Sequence, residues 1–347
     1  MRIFGTIISS GDITIHPMKK TISIAVVVGF ASLLTTCKKD QAGGKSNDTT
    51  TGSSNTSDSC SATQADANAI MIFPADNSWN LDISGEPVDS NSDLIIAGFS
   101  NSSLKADFGS GLWQGAPIGI PFVVVCGNQA KIPVSFRANA YDGNYGDQSD
   151  PGPYAIPLNA PIEGNGQGDS HVIAVDKDHD ILYELYNASV NGSQWEASSG
   201  AIFNLGSDQL RPADWTSADA AGLPIFPGLV RYDEVLKGKI NHAIRFTLTS
   251  SNTAPYYISP ARHKVNSSGG IYSLPFGAKL RLKKDFDITG FPAHLQVILK
   301  AMKTYGLILA DIGSNLYISG APDDRWDNNE LQELGKINAT NLEVLQF

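Results

Sequence analysis

Cysteine is scarce, with three in 347 residues. They stand at positions 37, 60 and 126 and form no C-x-x-C pair, which excludes a thiolate zinc cluster and a thioredoxin-type redox pair. H-E-x-x-H, G-x-S-x-G and a glycine-rich phosphate loop are also missing, and with them the metalloprotease, serine-hydrolase and nucleotide-binding readings. Charged residues make up only 17% of the chain and the balance is acidic, with a net charge of -10. Such a chain repels nucleic acid and anionic lipid, although a local Arg/His cluster could still meet a polyanionic substrate. There is no βαβ alternation and no internal repeat, so neither a parallel α/β fold nor a solenoid is expected.

The first apolar run, Ile22–Leu34, is thirteen residues long. A membrane span needs ~20. Met18-Lys19-Lys20 precede the run and Leu34-Thr35-Thr36-Cys37 closes it. A basic start, a short apolar stretch and a terminal Cys make a secretory signal, and Leu-Thr-Thr-Cys resembles the bacterial lipobox. Cys37 is therefore the expected lipidated residue, and Met18 rather than Met1 the expected start. Residues 38–68 are mostly Gly, Ser, Thr, Asn, Asp and Lys. That composition buries too little surface to offset its ordering entropy and reads as a flexible tether. Lys38-Lys39-Asp40 resembles the start of outer-membrane lipoproteins of Gram-negative bacteria, some of which reach the outer surface. The expected organisation is a signal over 1–37, a tether over 38–68 and a single β-rich domain over 69–347. The expected location is the bacterial cell envelope, periplasmic or surface-exposed, with the lipid anchor as the only membrane contact. Cys60 and Cys126 could pair in that oxidising compartment, or Cys126 could be a buried thiol.

Within the domain, 33 Gly and 18 Pro in the whole chain, with abundant Asn, Ser and Asp, imply many turns between β-branched runs. The stretch Gly168–Ala188 organises the rest. His171–Val175 and Ile181–Tyr186 flank the acidic turn Asp176–Asp180, the pattern of an antiparallel hairpin. Alternation puts Asp169, His171, Ile173 and Val175 on one face and Leu182, Glu184 and Tyr186 on one face of the partner. Lys131–Phe136 reads as the hairpin partner of Ile118–Cys126, and Thr216 or Ser217 as the cap of a single helical turn. Pro292–Tyr305 is the one convincing amphipathic helix, with Leu295, Ile298, Leu299 and Met302 at helical spacing and Gly306 as its stop. A short terminal helix, Asn328–Lys336, opens from Asp327. The expected class is mainly β, a jelly-roll-like β-sandwich with one packing helix.

Glu184 is the anomalous residue of its strand, because a glutamate among Ile, Leu and Tyr is either outward-facing or part of a site. With Asp169 on the neighbouring strand it makes a carboxylate pair suited to acid and base roles in glycoside hydrolysis, and His171 joins them as the third candidate catalytic residue. The long loop Tyr141–Tyr154 offers Tyr145 and Tyr154 as a sugar-binding wall, since tyrosine has an apolar face and a polar tip. His242, Arg262, His263 and Asp311 complete the expected substrate-binding set. Three histidines beside Arg245, Arg262 and Tyr257 keep open a polysaccharide lyase, in which Arg neutralises a uronate and His or Tyr moves the proton. A third possibility is a glycan-binding or adhesion protein without catalysis. Asp176-x-Asp178-x-Asp180 begins like a calcium loop, but Ile181 and Asn187 stand where Gly and the bidentate Glu belong, so no metal and no cofactor is expected.

Phe73-Pro-x-Asp-Asn-x-Trp79-Asn, Ser149-Asp-Pro-Gly-Pro-Tyr154, Leu210-Arg-Pro, Thr216-Ser-Ala-Asp-Ala-Ala-Gly-Leu-Pro and Gly320-Ala-Pro-Asp-x-Arg-Trp326 resemble a group of secreted bacterial proteins without an assigned activity. The resemblance covers most of Ile70–Trp326 and implies one recurring domain. It carries over no catalytic residue.

Overall fold

The structure is a computed structural model that describes residues 70–138 and 144–347. The expected signal, Cys37 and the tether lie outside these residues. Among the described residues there are seventeen short strands, β1 to β17 in chain order, and four α-helices, α1 to α4.

The central hairpin forms as its alternation requires. Strand β6 (Val172–Asp176) pairs antiparallel with β7 (Ile181–Tyr186), with Ile173 opposite Glu184 and Asp176 opposite Ile181. Ile173, Val175 and Leu182 enter one apolar cluster, and Val172, Ala174, Tyr183 and Leu185 enter another on the opposite face. The sheet is completed by β10 (Ser199–Asn204), antiparallel to β7, and β4 (Val123–Val125), parallel to β6. Both faces are covered, which is why β6 reads as a continuous apolar run.

A second, six-stranded sheet has the order β1 (Lys105–Asp107), β16 (Tyr317–Ser319), β11 (Ile244–Leu248), β15 (Leu307–Ile312), β14 (Lys279–Leu282), β17 (Leu342–Val344). Helix α3 (Ala293–Thr304) buries Leu295, Ile298, Leu299 and Met302 with Ile244, Phe246, Leu280 and Leu309 of this sheet. Each such side chain contributes about 1.5–3 kcal/mol, whereas propensity differences between ordinary helix residues are within ~0.7 kcal/mol. Burial therefore fixes this helix. From the sheet's other face, Ile308 and Ala310 join Ile173, Val175, Leu182, Phe122 and Phe226 in a cluster shared with the four-stranded sheet. The remaining helices are α1 (Ser92–Ala97), α2 (Tyr232–Leu236) and α4 (Asn328–Gln332), the last capped by the Asp327 carboxylate, which accepts from the Asn329 and Glu330 amides.

Three small sheets remain: β5 (Val134–Phe136) with β9 (Gln194–Ala197) and β8 (Ser189–Asn191); β12 (Thr253–Tyr257) with β13 (Leu274–Phe276); and β2 (Leu112–Trp113) with β3 (Ala116–Pro117). The mainly β class with one long packing helix is observed. Pairing is more mixed than an antiparallel jelly roll implies, since β1 runs parallel to β16, β11 to β15, β4 to β6, β5 to β9 and β12 to β13.

Two local expectations are corrected. Lys131–Phe136 does not pair with β4: Ile132 exchanges both backbone hydrogen bonds with Tyr154, at 2.7 and 2.9 Å, and β5 runs beside β9, so its ladder groups are already committed. Thr216–Asp219 forms no helical turn. Ser217 Oγ accepts from the Asp219 amide at 2.9 Å and donates to the Leu223 carbonyl at 2.5 Å, and such local bonds displace helical ones. Cys126 is disulfide-bonded, which removes the buried-thiol alternative.

Candidate active site

A cleft of about 350 Å³ is lined by residues of both large sheets, Tyr186 and Ser199 from the four-stranded one and Asp311 and Ile312 from the six-stranded one, together with Tyr145, Asp169, Thr216, Ser217, Asp219 and Asn266. Its floor is the chain from Thr216 to Ala220, held from below at several points. Ser199 Oγ donates to the Ser217 carbonyl at 2.7 Å, and His171 Nε2 lies 3.1 Å from the Ala218 carbonyl. Arg245 binds Asp219 through two nitrogens, at 3.2 and 2.8 Å. The following turn needs Gly222, whose φ is +68° and whose added Cβ would lie 2.5 Å from the Trp215 carbonyl.

Asp311 reaches the cleft through a bulge. On β15, Leu309 faces helix α3 while Ile308 and Ala310 face the other way, so regular alternation would send Asp311 toward the helix. The register with β11 shifts after Phe246–Leu309, and Asp311 comes to stand opposite Thr247, on the side of Arg245. Its Oδ2 is 3.6 Å from Arg245 Nη2, and its side chain is 25% exposed. Burial pushes the Asp311 carboxyl up to about 8, the Asp219 charge adds to the rise and Arg245 opposes it. The shift favours the acid form of Asp311, which faces the cleft. Arg245 Nη1 donates to Ser319 Oγ at 2.6 Å. Burial would lower the guanidinium, but Asp219 and Asp311 hold it firmly charged.

Asp169 is exposed at the start of the hairpin and lines the same cleft. Behind it His171 is buried, 2.5 Å from Glu163 Oε2 through Nδ1. Burial alone would lower this imidazole, but the Glu163 carboxylate outweighs it and raises it to about 9. Glu163 in turn is pulled below its ordinary value by His171 against the effect of burial. Asp107, at the end of β1, is raised by burial, by Glu163 and by Asp169. The charged residues lining the cleft are therefore aspartates, and the two buried cations beneath it, Arg245 and His171, are matched to Asp219 and Glu163.

The other expected site residues fall as follows. Glu184 is fully buried; its carboxylate accepts from the amides of Ile225, at 2.9 and 3.0 Å, and Phe226, at 2.8 Å. Desolvation raises it to about 7 against those bonds. A carboxylate closed off in this way cannot touch a substrate, so Glu184 is corrected to a residue that pins the 225–226 turn. His171 is likewise a positioning group beneath the cleft floor. Tyr154 is fully buried, its hydroxyl donating to the Asp150 carbonyl at 2.7 Å, and it belongs to the core rather than to a sugar-facing wall. His242 is buried in a separate place, 3.2 Å from Glu234 and 3.3 Å from Arg231. Arg262 lines a different, smaller pocket of about 200 Å³ with Phe73, Trp79 and Arg211. Tyr145 does reach the cleft, and its ring meets that of His263 edge-on at 6.0 Å. His263 Nδ1 bonds the Ala220 carbonyl at 2.8 Å, and burial lowers its imidazole. Of the expected residues, Asp169, Asp311 and Tyr145 meet in one place. Asp219, Glu163 and Asp107 were missed; Asp219 lies inside the Thr216–Pro224 stretch that carries the resemblance, and that was the available signal. Among the described residues there is no group of His, Cys, Asp and Glu arranged to hold a metal ion.

Comparison with family models, with curated proteins and with solved structures gives no match in any of the three.

Proposed function

We propose that the protein is a glycoside hydrolase of the cell envelope acting on a neutral polysaccharide or oligosaccharide, with Asp311 as the general acid and Asp169 as the second carboxylate. The observation that carries this reading is the meeting of Asp169 and Asp311 in one cleft walled by Tyr145 and Tyr186. Two carboxyl groups flanking a sugar-sized cleft are what glycosidic cleavage needs. Asp311 gives its proton to the leaving oxygen as the C–O bond breaks, and Asp169 acts on the incoming water or on the anomeric carbon. Arg245, at 3.6 Å, steadies the carboxylate that Asp311 leaves behind. Asn266 supplies an exposed amide partner for sugar hydroxyls, and the tyrosines supply apolar faces.

The acidic balance of the cleft counts against the lyase. Uronate recognition needs an uncommitted cation, and Arg245 and His171 are both matched to carboxylates. The lipobox-like Leu34–Cys37 and the tether support envelope anchoring, which places the domain where extracellular glycans are met.

The test is incubation of the full-length chain with neutral and acidic polysaccharides, following reducing ends and ultraviolet absorbance together. New reducing ends from a neutral glycan, lost in Asp311→Asn and Asp169→Asn, are expected. Unsaturated products absorbing in the ultraviolet would replace this reading with the lyase, and glycan binding with no product from any substrate would replace it with a recognition protein.

A further inference from the structure

The ribbon of β2 and β3 holds two large apolar side chains in water: Leu112 is 67% and Trp113 69% exposed. This is not a loose loop. Trp113 pairs with Ala116 across a two-residue turn in which Gln114 has φ +52° and Gly115 +88°, the left-handed pair of a tight hairpin. The stem is closed by the Gly109 amide on the Ile118 carbonyl at 3.0 Å. Asn328 brackets Ser110, its Oδ1 accepting from the amide at 2.9 Å and its Nδ2 donating to the carbonyl at 3.0 Å. At the tip, Asn165 Nδ2 donates to the Gly115 carbonyl at 2.9 Å. The chain thus ties the ribbon at its stem, flank and tip, and accepts a left-handed glutamine, to present an uncovered indole.

Its position says what the indole meets. The ribbon begins five residues after Asp107, whose carboxyl feels Asp169 and Glu163. The Asn165 that grips its tip is two residues from Glu163, the partner of His171 under the cleft floor. The Glu163 amide also donates to the His171 carbonyl at 2.9 Å, so the Glu163–Asn165 turn ties the ribbon's tip to the start of the hairpin, where Asp169 lines the cleft. We propose that Trp113 is a second glycan-binding site, a stacking platform for sugar units of a chain that extends out of the cleft past Asp107. The proposal rests on the reading of the cleft as glycan-binding, and it adds that the substrate is a chain of several units held at a distance from the bond being cut. An indole face suits the C–H face of a neutral sugar, and the chain's net charge of -10 disfavours an anionic membrane as occupant.

The experiment compares wild type, Trp113→Ala and Trp113→Phe in native gels containing xylan, mannan or hydroxyethyl cellulose. It also compares turnover of the polysaccharide with that of a short aryl glycoside of the same sugar. Retardation by the gel that slows wild type is expected to be lost in Trp113→Ala and kept in part in Trp113→Phe. The kcat/KM of Trp113→Ala on polysaccharide should fall about three- to tenfold further than on the short glycoside, the size of one aromatic contact. Equal losses on both substrates, or undiminished retardation, overturn the proposal, as does a wild type that none of the three polysaccharides retards. If no glycan is cut but retardation still depends on Trp113, the hydrolase reading falls and the platform stands. A wild-type dimer that Trp113→Ala dissociates, or vesicle binding by phosphatidylcholine that it abolishes, would assign the ring to a second copy or to lipid and overturn the proposal.

Discussion

Glu184 and Asp311 both stand on strands among apolar residues, and the groups facing them separate their roles. Glu184 meets the amides of Ile225 and Phe226 and no open space, whereas Asp311 keeps a quarter of its side chain exposed beside Arg245. Glu184→Ala leaves those two amides without an acceptor, and since an unpaired buried donor costs about 1–3 kcal/mol, a loss of roughly 2–6 kcal/mol is expected in denaturant unfolding. Glu184→Gln keeps an acceptor, should cost less, and should retain glycan turnover in the folded protein; a thousandfold loss of turnover with intact folding would return Glu184 to the site. In the proposed hydrolysis the acid form of Asp311 is the active one. With its carboxyl raised to about 8, kcat/KM should fall as pH rises through about 8 in a profile from pH 5 to 10, and a limb near pH 4–5 alone would contradict the assignment. The sequence marked Glu184 as anomalous because an acid among Ile, Leu and Tyr is legible in one dimension. Which loop covers it is not, because the Ile225–Phe226 turn lies some forty positions further along the chain. Asp311 was readable as a rim residue, but the bulge that turns it toward Arg245 has no local sequence mark.

At the scale of elements, the segment from Trp215 to Gly228 is held by groups from several strands rather than by its own secondary structure. Ser199, His171, Arg245 and Glu184 each bond its backbone or Asp219. Gly222→Ala would force a side chain into a left-handed position, costing about 1–3 kcal/mol, and would press a Cβ against the Trp215 carbonyl. The expected result is a lower melting temperature with a loss of glycan binding larger than the stability change explains, because the cleft floor moves. An alanine variant that matched wild type in both would show that the floor tolerates a different turn. The hairpin, α3 and α4 were legible because their signals are local: period-two alternation, helical spacing with Gly306 after it, and an Asp327 cap. The β5 pairing was misread because its partners, Tyr154 and β9, are distant in sequence, and an apolar run followed by Gly-Asn looks the same whichever strand receives it.

For the whole molecule, the mainly β class followed from β-branched runs and frequent turns, while the mixture of parallel and antiparallel pairs depends on long connections that composition does not encode. The titrating groups beneath the cleft also give the molecule a common pH response. Glu184 is raised to about 7 and His171 to about 9 in the folded state. Both therefore bind more protons folded than unfolded, Glu184 from its ordinary range up to about 7 and His171 from about 6.5 to 9. The stability each contributes is present below its unfolded value and is lost as pH rises through the folded one. The melting temperature should decline between pH 6 and 9, and His171→Gln should flatten the upper part of that decline while lowering stability at pH 6 by about 3 kcal/mol, as expected for breaking a buried pair. A melting temperature that rises across this range would contradict the charged His171–Glu163 pair.

The central claim, that Asp311 protonates a glycosidic oxygen in the Asp169 cleft, is tested most directly by varying the leaving group. Once the cleaved sugar is identified, Asp311→Asn is assayed on an alkyl glycoside, which needs a proton, and on a dinitrophenyl glycoside, which does not. The account predicts a loss of about 10²–10⁴ in kcat on the first, the range of general acid catalysis, and near wild-type rates on the second, with Asp169→Asn impaired on both. Equal loss on both substrates in Asp311→Asn, or full activity on the alkyl glycoside, would contradict it.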